Sequence, residues 1–198
     1  MGNAIIYMFD LIGNKLINKI TFFQHGVQSM AFSTCGRFLI ACSVASEGIL
    51  VIFDVHSGLV CENGTINLRE ESVNKIIVNQ NAEQDVDFCT IGQNGSFTIY
   101  KYDVEQQRIG KIEPELNQDL QNTNFTCAVY TPRLPSHKSE ILILGSQDGA
   151  VAAVNPYPKD VTQIGNLEWL EFGKKEYVLG EAISSIIYKY GQCVIAGA

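Results

Sequence analysis

The sequence predicts an all-β fold built from repeated four-stranded units, and three observations predict it. Short apolar runs alternate along the chain with clusters of Gly, Asn, Asp and Ser, which is typical of strands joined by turns. One strand–turn–strand unit recurs at a nearly constant spacing. No segment shows a long 3.6-residue apolar period, so we expect little helix.

The recurring unit is clearest at residues 87–103. Residues 88–92 form an apolar run, residues 93–95 read Gln-Asn-Gly, and a second apolar run ends at Asp103. Asn and Gly accept positive φ at little steric cost, so we predict a tight turn between two strands. Residues 42–54 and 144–155 repeat this arrangement, and residues 5–10 carry its second half.

The predicted strands follow one another in a regular order. The first pair lies at 4–10 and 15–23, and the last pair lies at 183–188 and 193–196. Three cycles lie between these pairs: 27–33, 37–43, 49–54 and 59–66; 73–78, 86–91, 97–102 and 107–112; 126–131, 140–145, 150–155 and 166–172.

Two strands of the first cycle carry a specific burial pattern. The run at 37–43 is almost continuously apolar, as in a strand that is buried on both faces. In the strand at 27–33, we expect Val27, Met30 and Phe32 to point inward.

The residues that close the third strands set the period. Asp10, Asp54, Asp103 and Asn155 are separated by 44, 49 and 52 residues. Four short strands in a period of this size are typical of a propeller blade. An evenly spaced β-sandwich is the alternative, but the recurrence of turns together with strand ends favours the propeller.

This period predicts one β-propeller segment over residues 1–198, with three full blades and two half-blades. The half-blades are expected at 1–24 and 177–198, and the blades at about 25–68, 69–122 and 123–176. We interpret the chain as part of a larger propeller, which needs more chain or an abutting partner. The alternative is a four-bladed closure in which the terminal half-blades meet.

Composition narrows the functional classes. The chain is 46% hydrophobic and 18% charged, which suits an ordered globular protein. A net charge of −7 argues against unspecific binding to nucleic acid or to an anionic membrane. No apolar stretch is long enough to span a bilayer. The six cysteines form no C-x-x-C pair, and we interpret them as reduced thiols in the cytoplasm.

The first of these three strand cycles resembles a WD repeat. Residues 27–43 are similar to the first two strands of that family, and residues 49–58 to its third strand, with Phe53-Asp54 in place of Trp-Asp. The Gly-His pair of the family survives as His25-Gly26, reversed. WD blades use a set of His, Ser/Thr, Asp and Trp side chains to lock their strands by hydrogen bonds. Because this set is degraded here, we expect the blades to be held mainly by apolar burial. We expect His25 to be a hydrogen-bond donor that locks a blade.

The stretch at 87–100, with Phe-Cys-Thr-Ile-Gly at 88–92, resembles, more narrowly, the degenerate WD repeats of cilia- and flagella-associated proteins. This resemblance implies a scaffold that binds other proteins in an axonemal or microtubule-associated assembly of the cilium or flagellum. The alternative is a WD-type adaptor in another cytoplasmic complex, such as vesicle traffic or ubiquitin ligation.

Motifs for catalysis are not found in the sequence. No phosphate-binding G-x-x-x-x-G-K-[ST] loop and no G-x-S-x-G nucleophile elbow occurs, and the three histidines lack metal-ligand spacing. We therefore predict a protein that is not an enzyme and that has no cofactor or metal. A propeller enzyme would need convergent His or carboxylate groups on its innermost strands.

Three longer connections are candidate surfaces for partner proteins, with simple connection as the alternative for each. Proline stiffens them and lowers the entropy cost of binding. The candidate contact residues are Glu113, Glu115, Asp119, Arg133, His137, Lys138, Tyr157 and Lys159.

Overall fold

The structure is a computed structural model that describes residues 3–68, 71, 73–82, 86–112, 114, 116, 118–132, 140–156 and 174–198. This part of the chain contains sixteen strands in five sheets, together with one helix of four residues. Three sheets have four strands and two have two strands. The predicted all-β architecture of three full blades and two half-blades is therefore confirmed.

The first two sheets follow the chain order. Sheet I contains β1 (Ile6–Asp10) and β2 (Lys15–Ile20), which pair antiparallel. Sheet II contains β3 (Val27–Phe32), β4 (Phe38–Ser43), β5 (Ile49–Asp54) and β6 (Val60–Asn67), in that spatial order. Each strand of sheet II pairs antiparallel with the next one in sequence.

Sheet III contains the turn at residues 93–95 that the sequence predicts most clearly. It contains β7 (Val73–Val78), β8 (Val86–Gly92), β9 (Phe97–Asp103) and β10 (Arg108–Ile112). Asn94 and Gly95 both have positive φ, 54° and 70°, so the expected tight turn is confirmed. A side chain at Gly95 would collide with the carbonyl of Gln121 in the following helix α1 (Gln118–Gln121).

The last two sheets repeat the same order. Sheet IV contains β11 (Phe125–Tyr130), β12 (Leu142–Ser146), β13 (Ala150–Val154) and β14 (Lys175–Tyr177). Sheet V contains β15 (Ile183–Lys189) and β16 (Gln192–Gly197). The strand expected at 166–172 lies outside the described residues.

The central strands of the four-stranded sheets are buried on both faces. Every residue of β4, β8, β12 and β13 is buried. This burial explains why the sequences of β4, β12 and β13 are almost continuously apolar instead of alternating, whereas β8 also buries Asp87 and Thr90. The interpretation of residues 37–43 as a doubly buried strand is confirmed.

The chain divides into two units, residues 1–88 with 100–110 and residues 89–99 with 111–198. In the first unit, one apolar cluster joins sheets I and II, and a second contains Ile40, Ile52, Val86 and Tyr100. In the second unit, an apolar cluster joins sheets IV and V. Apolar burial between neighbouring sheets therefore stabilises each unit.

One expectation about β3 is wrong. Met30 and Phe32 are 57% and 52% exposed, although both were expected to point inward. They alternate with Ala31, and Met30 pairs with Ala41, whose face of sheet II packs on sheet I. Sheet I covers that face at β4 and β5 and packs against the half-buried Val27, whereas Met30 and Phe32 of β3 stay exposed.

The strand-closing aspartates perform the same task in three sheets. The Oδ1 atom of Asp10 accepts hydrogen bonds from the second and third backbone N–H groups after it, at 3.0 and 2.9 Å. Asp54 accepts the equivalent pair at 3.0 and 2.9 Å, and Asp103 at 3.0 and 2.8 Å. The period read from the sequence is therefore the spacing of one side-chain-capped turn.

Hydroxyl groups repeat a second local bond. Ser43 Oγ accepts the backbone N–H of Ile49 at 2.8 Å, and Ser146 Oγ accepts that of Ala150 at 3.0 Å. Both serines are buried at the end of a second strand and fix the start of the third. The bond satisfies a backbone donor that the strand ladder leaves free.

The side chain of His25 is not the expected donor. His25 is exposed, and its backbone N–H donates to Glu47 Oε2 at 3.2 Å. The same carboxylate accepts the backbone N–H of Gln24 at 3.1 Å. Glu47 therefore contacts the segment just before β3 through two backbone amides.

Candidate functional site

A groove of about 350 Å³ opens at the rim of the first unit. Three turn regions build it: the connection from β3 to β4, the connection from β5 to β6, and the connection from β9 to β10. Capped turns place these regions, because Asp54 and Asp103 end the strands that lead into two of them. The lining residues are Arg37, Phe38, Asp54, Ser57, Leu59, Val60, Cys61, Glu62, Tyr102, Val104 and Gln107.

Two buried aromatic rings line the inner part of the groove. Phe38 and Tyr102 are 4% and 2% exposed, and their rings meet edge to face with centroids 6.2 Å apart. The Tyr102 hydroxyl donates to the backbone carbonyl of Glu62 at 3.0 Å, which ties β9 to β6. This pairing gives the groove a fixed apolar surface, since the polar tip of the tyrosine is satisfied.

An ion pair lies at one side of the groove. Arg37 Nε donates to Asp54 Oδ2 at 3.2 Å, and the Arg37 guanidinium lies 4.9 Å from the centroid of the Phe38 ring. The side chain of Arg37 remains 61% exposed. The backbone amide of Ser57 lowers the pKa of Asp54, and Arg37 lowers it further against the opposing effect of burial. The carboxylate is therefore charged at neutral pH.

Exposed apolar side chains also line the groove. Leu59 is 69% exposed and Val60 is 37% exposed, directly after the turn that Asp54 caps. Burial of such side chains by a partner is favourable by about 25 cal/mol per Å² removed from water. The groove thus offers an apolar contact beside a fixed charged pair.

The polar groups inside the groove are poorly suited to nucleophilic chemistry. Burial, with the nearby Asp54 carboxylate, raises the pKa of Cys61 to about 11, so its thiol stays protonated at neutral pH. The thiolate is the nucleophilic form of cysteine. Burial, with Cys61 and Glu62 nearby, raises the pKa of Tyr102. The geometry favours binding over bond cleavage.

The described lining of this groove contains none of the contact residues predicted from the sequence. Asp119 lies in α1, where the structure describes the backbone and not this side chain. The other seven lie outside the described residues, so their role in partner binding stays a prediction: Glu113, Glu115, Arg133, His137, Lys138, Tyr157 and Lys159.

The groove residues were not predicted from the sequence, because the longer loops were favoured as contact surfaces. A signal was present, since Leu59 and Val60 are apolar and directly follow the turn His56-Ser57-Gly58. A second signal was Tyr102, the aromatic residue directly before Asp103. Neither signal shows by itself that the two turns share one groove.

Two negative findings concern the part of the chain that the structure describes. No group of three or more His, Cys, Asp or Glu side chains there could hold a metal ion. No helix among these residues has both the length and the apolar character needed to cross a membrane. All six cysteines are free thiols.

No protein-family model matches the chain, and no curated protein matches it. Among solved structures, the chain is similar to the β-propeller domain of Cps50 (Swd1) from Myceliophteria thermophila, with a TM-score of 0.66. The sequences are 13% identical, and the match covers 98% of this chain and 56% of that domain. The chain therefore spans little more than half the length of the domain it matches.

This likeness and the five sheets together define the class of protein. The chain has the fold of a β-propeller, and its four-stranded sheets II, III and IV are propeller blades. At this level of identity the similarity concerns the fold, and function has to be argued from the site.

Proposed function

We propose that the protein is a non-enzymatic scaffold that binds another protein through the rim groove of its first unit. The observation that carries this proposal is the groove itself, where exposed Leu59 and Val60 lie beside the buried Phe38–Tyr102 pair. An extended segment of a partner could place an apolar side chain against them. Arg37 would orient that segment through its exposed guanidinium.

The electrostatics of the groove support a protein ligand. Arg37 and Asp54 neutralise each other in part, and the chain as a whole carries a charge of −7. An acidic protein repels polyanions such as nucleic acid at long range. It also disfavours direct docking on acidic tubulin tails, so protein neighbours or the tubulin body are the better partners.

We further propose that the assembly is ciliary or axonemal and that the protein works in the cytoskeleton of a cilium or flagellum. The support is the resemblance of the β8 sequence, Phe-Cys-Thr-Ile-Gly at 88–92, to the degenerate WD repeats of ciliary proteins. The second candidate is an adaptor in another cytoplasmic complex, which the same groove would serve equally well.

Co-sedimentation with purified axonemes tests both parts of the proposal. The informative variant is Leu59→Lys, which places a charge on the apolar side of the groove. The matched control is Leu11→Lys, because Leu11 is 90% exposed in the turn between β1 and β2 and lies outside the groove. Both leucines are exposed, so neither variant should disturb folding.

We expect the wild-type chain and Leu11→Lys to co-sediment and Leu59→Lys to remain in the supernatant. Failure of all three to sediment would reject the ciliary assignment. Sedimentation of Leu59→Lys at the wild-type level would reject the groove as the binding surface. Loss of a different cytoplasmic partner in Leu59→Lys alone would support the adaptor candidate.

A further inference from the structure

Arg37 leaves most of its hydrogen-bonding capacity unused in the rim groove. Its Nε atom donates to Asp54 Oδ2 at 3.2 Å, which is one bond from a group that carries several N–H donors. Among the described residues, the Asp54 carboxylate is the hydrogen-bond acceptor of this guanidinium, and its two terminal nitrogens have none. The side chain is 61% exposed, so these nitrogens are accessible to a ligand in the groove.

The guanidinium of Arg37 is held in place before a partner binds. The Nε bond fixes one edge of it, and the Phe38 ring centroid lies 4.9 Å from its central carbon. Asp54 is fixed in turn, because its Oδ1 atom accepts the backbone N–H groups of His56 and Ser57. A planar group that is already positioned loses less conformational entropy on binding, so Arg37 is preorganised for a planar acceptor.

We infer that the groove recognises the side-chain carboxylate of an Asp or Glu in an extended partner segment, together with an apolar side chain of the same segment. This inference deepens the proposed function and rests on it. The carboxylate accepts two parallel hydrogen bonds from the terminal nitrogens of Arg37. The apolar side chain covers Leu59 and Val60, which line the same groove. Because residues i and i+2 of an extended segment point to one side, we expect the two side chains two positions apart.

The charges of the groove favour a carboxylate over a phosphate group. The described lining contains one cation, Arg37, and two carboxylates, Asp54 and Glu62. A phosphate group carries up to about two negative charges and is usually bound by a cluster of Arg side chains. One guanidinium matches one carboxylate in charge and in planar shape. A doubly charged ligand would leave excess negative charge beside Asp54 and Glu62.

The turn after β5 favours a side-chain carboxylate over the carboxyl terminus of a partner. Terminal carboxylates are typically captured by free backbone N–H groups that converge on one point. The N–H groups of residues 56–59 all donate within the turn, either to Asp54 or to Ser57 Oγ. These four residues therefore have no backbone donor left for a terminal carboxylate, and the Arg37 guanidinium is the donor that faces the ligand.

Selection of random peptides displayed on phage, against the immobilised 198-residue chain, is the first part of the test. One library holds each peptide within a coat-protein loop, so that it has no free end. A second library displays peptides with a free carboxyl terminus. We expect the loop library to yield peptides with Asp or Glu two positions from an apolar residue. Their binding should be lost in Leu59→Lys.

Fluorescence anisotropy of a selected peptide, made synthetically with blocked ends, is the second part of the test. Arg37→Gln should weaken its binding about tenfold, and so should exchange of its Asp or Glu for the amide. On Arg37→Gln the same exchange should cost little, because the carboxylate has already lost its partner. Arg37→Lys should restore only part of the affinity, since it keeps the charge and loses the planar pair of donors. Arg108→Gln is the matched control, because Arg108 is exposed and is not among the lining residues.

Coupled losses at Arg37 and at the acidic residue of the peptide, with an unaffected control, would support the inference. Selected peptides that need Leu59 but show no acidic preference would overturn it and leave the groove as the binding surface. A preference for basic residues, a need for a free carboxyl terminus, or tighter binding of a phosphoserine peptide would also overturn it. If no selected peptide depends on Leu59, the groove itself is rejected, and the proposed function fails with it. If Arg37→Gln does not fold by circular dichroism, Arg37→Lys and the amide peptide decide the question.

Discussion

Sheets I and II share their local chemistry and differ in their burial. Asp10 and Asp54 close β1 and β5 with the same pair of hydrogen bonds, and Phe9 and Phe53 precede them at equivalent positions. Phe53 is 1% exposed and lies against Phe22 and Phe23, whereas Phe9 is 61% exposed. The turn therefore depends on residues close together in sequence. The stability that the phenylalanine before the aspartate contributes depends on whether another part of the chain covers its side chain.

The largest expected difference separates these two phenylalanines. Phe53→Ala removes a buried ring and should cost about 3–5 kcal/mol of unfolding free energy. Phe9→Ala should cost less than about 0.5 kcal/mol, because Phe9 is largely exposed. Denaturant unfolding followed by circular dichroism measures both. Equal costs would show that position in the turn motif, and not burial, sets the contribution.

A smaller and nearly equal effect is expected for the aspartates themselves. Asp10→Ala and Asp54→Ala each remove a side-chain acceptor of two backbone N–H groups. By analogy with lost helix caps, each should cost about 0.5–2 kcal/mol. Asn at either position should restore most of the loss, because its amide oxygen can accept the same bonds. A large cost at one site alone would break the equivalence of the two sheets.

The acid dependence of stability should be affected by Asp54. Its folded-state pKa is lowered, chiefly by the Ser57 amide. The stability that Asp54 contributes is thus complete above its unfolded-state pKa of about 4. It is lost as the pH falls through the lower folded-state pKa. Asp54→Asn should therefore lose less stability than the wild type between about pH 4 and about pH 2. Parallel denaturant midpoints for the two proteins across this range would contradict the assignment.

The smallest effect is expected at Arg37. The ion pair with Asp54 is largely exposed on the arginine side, and such pairs contribute at most about 1 kcal/mol. Arg37→Lys keeps the charge but loses the planar group over Phe38, so it separates the charge from the ring contact. Chemical unfolding of Arg37→Lys and Arg37→Ala in low and high salt measures the contributions of the charge and of the ring contact separately. A cost well above that limit would mean that the groove is more rigid than its exposure suggests.

The sequence predicted the architecture well because its signals are local. Tight turns such as Asn94-Gly95 need positive φ, and a doubly buried strand such as β4 needs a continuous apolar run. It predicted Met30 and Phe32 wrongly because alternation gives the face of a strand but not what covers that face. It missed the groove because Phe38 and Tyr102 meet only when two sheets stack.

By itself, the sequence determined the period, the capped turns and the apolar central strands, since each depends on residues within a few positions of one another. The tertiary structure decided the rest. It brought Arg37 and Asp54 together with Tyr102 in one groove, and it left Phe9 exposed while burying its counterpart Phe53. The physical reason is that burial and side-chain contact depend on which sheet lies opposite, and that is set by packing between distant segments of the chain.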